Sequence, residues 1–112
     1  MYYETAKAFA TKYRGEITPM MKKMGFNVSV TTFKEYYDEG RVVVTINKVP
    51  MNFPVWSSEY SRYDFTNRAE KLKDAISNRL DKINAEKETD CGYEVLFNRS
   101  IPYIKHEETS NE

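Results

Sequence analysis

The period of the apolar positions changes along the chain, and each change marks a predicted element. Apolar residues recur at intervals of three and four over residues 3–13, which predicts an amphipathic helix that ends at Gly15 in a left-handed cap conformation. Thr18 and Pro19 are residue types typical of an N-cap and a first helical position. A second, short helix is therefore predicted to follow and to close at Gly25.

Two stretches with a period of two come next. Residues 26–30 place their apolar side chains on one face, as a half-buried strand does. The alternation breaks over residues 31–37, where we expect a bulge or fraying. A polar turn, with Gly40 free to adopt a positive φ, leads to residues 41–49. This second strand begins apolar on both faces, which predicts a central position in a sheet.

The most regular period lies in the second half of the chain. Apolar residues spaced by three and four from Phe65 to Ile83 predict a long amphipathic helix, with Asp64 or Thr66 as its N-cap. Residues 93–97 alternate again and predict a last strand, whose pairing direction the pattern leaves open. The predicted fold class is α+β, in which a hairpin and a C-terminal strand form a small sheet packed against the long helix, preceded by the N-terminal helices.

Length and composition support a single folded domain. The chain has 112 residues, which is enough to build one core, and aromatic residues make up 14% of it, far from the composition of disordered chains. We interpret residues 1–105 as one domain and residues 106–112 as a flexible acidic tail. The longest apolar runs are shorter than the roughly 18 residues of a membrane span, so no membrane partner is expected.

Charge is balanced overall but uneven locally. Lys and Arg number 17, as do Asp and Glu, so no overall field attracts nucleic acid. Residues 1–34 carry six basic and two acidic side chains, whereas residues 88–112 carry two and six. One cysteine allows no internal disulfide, and the N-terminus lacks the apolar run of a signal peptide. We therefore expect a cytoplasmic protein.

Groups suited to catalysis are scarce. The only histidine, His106, lies in the acidic tail, and Cys91 has no second cysteine or histidine near it in sequence. The glycines stand alone, so no phosphate-binding loop is formed. We expect no enzymatic activity, no metal site and no cofactor.

An aromatic loop between the second strand and the long helix allows two interpretations. In the first, Phe53 and Trp56 close the core while Tyr60 and Tyr63 are half-buried. In the second, some rings stay exposed and form a protein-binding surface, because Trp, Tyr and Arg dominate binding hot spots. The candidate hot-spot residues are Trp56, Tyr60, Arg62 and Tyr63.

Nucleic-acid binding is the alternative. The same rings would suit stacking on unpaired bases, with Arg62 and Arg68 at the phosphates. The net negative charge of residues 35–66 opposes the binding of nucleic acid at the aromatic loop. A second basic surface would come from the N-terminal helices, with Lys7, Lys12, Arg14, Lys22 and Lys23.

Residues 26–53 resemble the small α+β domains of phage and mobile-element proteins known as large polyvalent protein-associated domains. The similarity lies in the strand motifs Val28–Thr32 and Val42–Ile46 and in the pair Asn52 and Phe53. The resemblance implies a phage or mobile-element origin, hence the cytoplasm of the host cell, and no known catalytic residues.

The leading hypothesis is a small non-enzymatic accessory protein that binds a host protein. One such partner is a nuclease complex of host defence. The protein would inhibit this nuclease, as anti-CRISPR and anti-restriction proteins do. Acidic residues would then face a basic nucleic-acid channel beside the aromatic rings, and the candidates are Glu35, Asp38, Glu39, Glu59 and Asp64. Self-association to a homodimer through an exposed strand edge is compatible with either function.

Overall fold

The computed structural model of the chain describes residues 2–35, 37 and 39–105, and it forms an α+β domain of two helices and a three-stranded open sheet. The elements are α1 (Tyr3–Lys23), β1 (Asn27–Lys34), β2 (Gly40–Lys48), α2 (Asn67–Lys87) and β3 (Tyr93–Phe97). The strand order is β1-β2-β3, so the predicted central position of β2 is confirmed. β1 pairs antiparallel with β2, and β3 pairs parallel with β2, as expected where a helix connects two neighbouring strands.

The prediction of two N-terminal helices is wrong, because α1 is continuous. Gly15 lies inside α1 with no positive φ, and Pro19 is also inside the helix. Proline at this position removes the N–H that would bond to the Gly15 carbonyl. A stripe of buried side chains continues past this point and holds the helix together through packing: Ala6, Phe9, Ala10, Tyr13, Ile17 and Met21.

α1 is closed by Gly25, as the sequence predicts. Gly25 has a φ of 92° and donates a hydrogen bond to the Lys22 carbonyl at 3.0 Å. The Phe26 N–H bonds to the Met21 carbonyl at 2.9 Å, which completes a Schellman motif. Glycine is the residue that adopts this conformation without steric cost. Gly25 therefore turns the chain directly into β1.

The hairpin between β1 and β2 differs from its prediction in two details. β1 stays paired to its end at Lys34, and the irregularity in register lies between its first two residues instead of over residues 31–37. Gly40 belongs to β2, and Tyr37 takes the positive φ of 54°. A Cβ on Gly40 would lie 2.7 Å from the Tyr3 Cα, so glycine is required here for the close approach of α1.

Thr66 is the N-cap of α2, which decides between the two predicted candidates. Its Oγ1 accepts a hydrogen bond from the Ala69 N–H at 3.1 Å and donates one to the Pro54 carbonyl at 2.6 Å. One hydroxyl thus satisfies an orphan helix donor and ties the preceding loop to the helix. Glu88 ends α2 in the left-handed conformation, with a φ of 52°.

Both helices cover the sheet, which changes the predicted layering. α1 packs against β1 and β2, whereas α2 lies against β3. Along β2, buried side chains alternate with half-buried ones, so the core forms on one face of the sheet. A chain of side-chain hydrogen bonds crosses the other face, in which Asn98 donates to Asn47 at 3.1 Å and the Asn47 amide donates to Ser29 at 3.1 Å.

Candidate functional site

The aromatic loop folds into a small hairpin of residues Trp56–Phe65, which we call the aromatic hairpin. Trp56 and Phe65 form an antiparallel bridge. Next to it, the Ser57 N–H donates to the Asp64 carbonyl at 2.7 Å, and the Thr66 N–H donates to the Val55 carbonyl at 3.0 Å. These backbone bonds close the base of the hairpin and fix the path of the chain between them.

The base of the hairpin is anchored by Trp56. Its ring is 1% exposed, and its Nε1–H donates to the Ile101 carbonyl at 2.7 Å. The ring stacks on Phe65, with centroids 5.3 Å apart, and meets the edge of Phe97 at 6.4 Å. The prediction that Trp56 closes the core is therefore confirmed, and this ring is not available to a partner. Phe53 is half-buried against Phe26.

The tip of the hairpin presents the tyrosines to solvent. Tyr60 is 92% exposed and Tyr63 is 68% exposed, so the expectation of half-burial is wrong. The cause is the register of the hairpin, since its paired residues meet the core and the turn projects beyond it. The Ser58 and Ser61 hydroxyls accept hydrogen bonds from the Tyr60 and Tyr63 N–H groups and shape the turn.

Three cations from different segments lie on rings of this hairpin. The Arg99 guanidinium is 4.3 Å from the Tyr63 ring centre, and the Lys73 ammonium is 4.3 Å from that of Phe65. The Arg62 guanidinium is 5.7 Å from the Trp56 ring centre, so this predicted site residue covers the anchor. Cation–π contacts of this kind contribute about 0.5–1 kcal/mol each at exposed sites. Sequence reasoning missed the roles of Arg99 and Lys73 because neither is adjacent to the loop.

The predicted acidic surface is divided. Glu59 and Asp64 lie exposed in the aromatic hairpin, but Glu35 and Glu39 lie at the far end of the β1–β2 hairpin. The length of β2 separates the two groups by roughly 27 Å at the usual rise of a strand. Asp38 lies outside the described residues. The acidic candidates therefore do not form one surface with the tyrosines.

Arg41 neutralises part of the negative charge at the turn of the β1–β2 hairpin. Its guanidinium forms ion pairs with Glu35 at 3.1 Å and with Glu94 at 3.0 Å. These side chains are partly exposed, so the pairs contribute little to stability. They do reduce the negative charge that this end offers to a basic partner.

The predicted basic surface on α1 is also divided. All five candidates lie on this helix: Lys7, Lys12, Arg14, Lys22 and Lys23. Lys7 and Lys12 are five residues apart and point roughly 140° away from each other. The Arg14 guanidinium donates to the Val30 carbonyl and so ties α1 to β1. The pKa of Lys12 is lowered, mainly by a hydrogen bond with Lys87 and to a smaller extent by loss of hydration and by repulsion from the Lys87 charge.

Cys91 has a structural setting. Its N–H donates to the Asn84 side-chain oxygen at 3.0 Å, and its carbonyl accepts from the Asn84 amide at 3.1 Å. Burial raises the pKa of the Cys91 thiol, which disfavours the reactive thiolate. His106 lies outside the described residues.

Two further findings concern metals and membranes. Within residues 2–35, 37 and 39–105, no group of three or more His, Cys, Asp or Glu side chains is close enough to bind a metal ion. Neither helix in this part of the chain combines the length and apolar character needed to cross a bilayer.

Comparison of the chain with known protein families, curated proteins and solved structures finds no match. Function is therefore inferred from the geometry of the chain itself.

Proposed function

We propose that this protein acts by binding another protein through the aromatic hairpin. The observation that carries the proposal is the exposure of Tyr60 and Tyr63 on a hairpin whose base is locked into the core by Trp56. Large aromatic rings are usually buried in the core of a domain, because exposure of their apolar surface to water is unfavourable. Here two of them lie on a hairpin whose base is closed by backbone hydrogen bonds and whose turn is shaped by serine hydroxyls that bond to the backbone N–H groups of both tyrosines.

Rigid presentation favours affinity. A flexible loop loses conformational freedom when it binds, at a cost of about 0.5–1.5 kcal/mol for each immobilised side chain. The paired base of the hairpin and the serine contacts at its turn fix the backbone before binding, so the part of the cost that comes from ordering a loop is reduced. Tyr and Arg are also the residue types that contribute most at protein interfaces, and Arg99 lies directly on the Tyr63 ring.

The wider hypothesis of a phage or mobile-element accessory protein is retained as part of this proposal. Its support is the resemblance of the β1–β2 region and the small size of the chain. A host protein, such as a nuclease of the defence systems, is the proposed partner. The mixed charge around the hairpin, with Glu59 and Asp64 beside Arg62 and Arg99, favours a partner surface that is itself mixed.

Single-stranded nucleic acid is a second candidate ligand, favoured by the Arg99–Tyr63 stack. An exposed ring with a guanidinium on it can bind a base and a phosphate together. Two exposed carboxylates in the hairpin oppose this, and the α1 cations point in different directions. This alternative predicts binding that weakens steeply with salt.

Affinity capture with a matched pair of variants tests the proposal. Tagged protein is used to capture partners from a lysate of the host cell, and the recovered protein is then titrated by biolayer interferometry. We expect Tyr60→Ala and Tyr63→Ala to weaken binding by about 2 kcal/mol each, roughly 30-fold, as central interface tyrosines do. Tyr37→Ala is the control, since Tyr37 is 95% exposed but lies at the opposite end of the sheet.

Two results would overturn the proposal. One is recovery of a partner whose affinity is the same for wild type and both hairpin variants. The other is low-salt binding of a fluorescent single-stranded oligonucleotide that Tyr63→Ala abolishes, because this would assign the hairpin to nucleic acid.

A further inference from the structure

A groove with a volume of about 620 Å³ lies beside the N-terminal half of α2. Arg68 lies on this side, 4.8 Å from the Phe53 ring centre, whereas Lys73 contacts the aromatic hairpin. Arg68 and Lys73 are five positions apart, which places their side chains roughly 140° apart around the helix. The groove and the aromatic hairpin therefore lie on different sides of α2.

The apolar side chains that line the groove come from three segments. Met24 comes from the end of α1, Met51 and Phe53 from the segment after β2, and Leu72 from α2. Met24 is 56% exposed and Met51 is 91% exposed. Methionine side chains adapt their shape to what they contact, and they are frequent at surfaces that bind apolar side chains of partners.

The position of Met51 is set by a hydrogen-bonded turn. The Phe53 N–H donates to the Pro50 carbonyl at 3.1 Å, and Asn52 has a φ of 67°, as the third residue of a type II turn requires. Pro50 packs closely on Gly25, where an added Cβ would lie 3.1 Å from the proline ring. The turn thus holds the exposed Met51 side chain at the rim of the groove.

The charged residues of the groove have one sign. Arg68 and Lys71 line it, and none of its described lining residues carries a carboxylate. Among the ion pairs between described residues, none includes either of these cations. Arg68 is oriented by the Phe53 ring, so its charge is held beside the apolar side chains of the groove.

We propose that this groove binds a short amphipathic segment of a protein partner, in which apolar side chains are flanked by Asp or Glu. The apolar side chains would contact the Met24, Met51 and Leu72 side chains, and the carboxylates would pair with Arg68 and Lys71. The proposal rests on charge complementarity and on the exposed methionines, and it does not depend on the aromatic hairpin. Binding of an amphipathic segment in an apolar groove is a recurring mode of recognition.

Selection from a random peptide library displayed on phage tests this site on the 112-residue chain. We expect the enriched peptides to combine apolar residues with Asp or Glu. Titration of such a peptide should shift the backbone amide signals of Met24, Met51 and Leu72 in an NMR spectrum. Lys71→Glu should weaken its binding at least tenfold, whereas Lys82→Glu, an equal charge change at an exposed position further along α2, should leave it within twofold.

The outcomes separate this proposal from the previous one. The Tyr60→Ala, Tyr63→Ala double variant should keep its affinity for the peptide, so failure of the hairpin proposal leaves this one standing. Enriched peptides without acidic residues, no enriched peptide at all, or equal weakening by Lys71→Glu and Lys82→Glu would overturn it. Met51-dependent binding to vesicles of phosphatidylserine and phosphatidylcholine, without peptide binding, would assign the groove to a lipid surface instead and would also overturn it.

Discussion

Replacement of Trp56 by phenylalanine tests whether the core positions the aromatic hairpin. Phenylalanine keeps an aromatic ring at the position but removes the indole N–H that bonds to the Ile101 carbonyl at 2.7 Å. It also leaves unfilled space beside Phe65 and Phe97, which contact the indole. Both losses occur in the interior, since Trp56 is 1% exposed.

The size of the effect follows from these contacts. A buried carbonyl that loses its partner costs about 1–3 kcal/mol. The space left by part of the indole costs less than full truncation of a tryptophan to alanine, which is worth about 3–5 kcal/mol. We expect a total loss of about 2–4 kcal/mol, a large share of the 5–15 kcal/mol by which domains are stable. For a domain of this size, at about 4 °C per kcal/mol, that corresponds to a fall in Tm of roughly 8–16 °C.

Circular dichroism during thermal unfolding measures the change in Tm, and hydrogen exchange of the Ser57 amide measures opening of the hairpin base. We expect faster exchange in Trp56→Phe, because the Ser57–Asp64 hydrogen bond lies beside the lost anchor. Tyr60→Phe is the control and should stay within about 0.5 kcal/mol of wild type, as exposed positions do. Equal Tm values for Trp56→Phe and Tyr60→Phe would refute the claim that the core holds the hairpin in place.

Further predictions concern three single side chains. The Tyr13 hydroxyl is buried without a hydrogen-bond partner, so Tyr13→Phe should match wild type in denaturant unfolding or exceed its stability by about 1 kcal/mol. Burial raises the pKa of Tyr13, so the unfolded chain loses the hydroxyl proton at a lower pH than the folded protein does. Above a pH of about 10, the free energy of unfolding of wild type should therefore fall by up to about 1.4 kcal/mol per pH unit relative to that of Tyr13→Phe. Thr66→Ala should cost about 1–2 kcal/mol, and Thr66→Ser, which keeps the hydroxyl cap, should recover most of it in the same assay. Cys91 should react slowly with iodoacetamide in the folded protein and rapidly in urea, by mass spectrometry; equal rates would contradict its burial.

The elements with a strong local period were predictable from the chain alone. The stripe from Phe65 to Ile83 indicated α2, and the β-branched residues on both faces of β2 indicated its central place. Both features depend only on the spacing of apolar side chains within one segment, over a few turns of a helix or a few residues of a strand. The break predicted at Gly15 was wrong because the local tendency of glycine and proline to end a helix was outweighed by packing of α1 on the sheet.

The candidate sites were predictable only in part. The loop sequence identified Tyr60 and Tyr63 as candidates, but whether they were buried depended on the register of a hairpin closed by Trp56 and Phe65. Likewise, residue types alone grouped Glu35 with Glu59, although β2 separates them. The groove beside α2 had no signal in the pattern, because its lining combines side chains from three segments.

Local periodicity and turn chemistry thus determined the α+β class, the central strand and the helix that follows the aromatic loop. Tertiary packing alone decided which rings face water, which cations lie on them and which apolar side chains meet in a groove. The physical reason is that burial and charge pairing depend on distances between residues far apart in the chain. Arg99 and Tyr63, separated by 36 positions in sequence and by 4.3 Å between guanidinium and ring centre, show this directly.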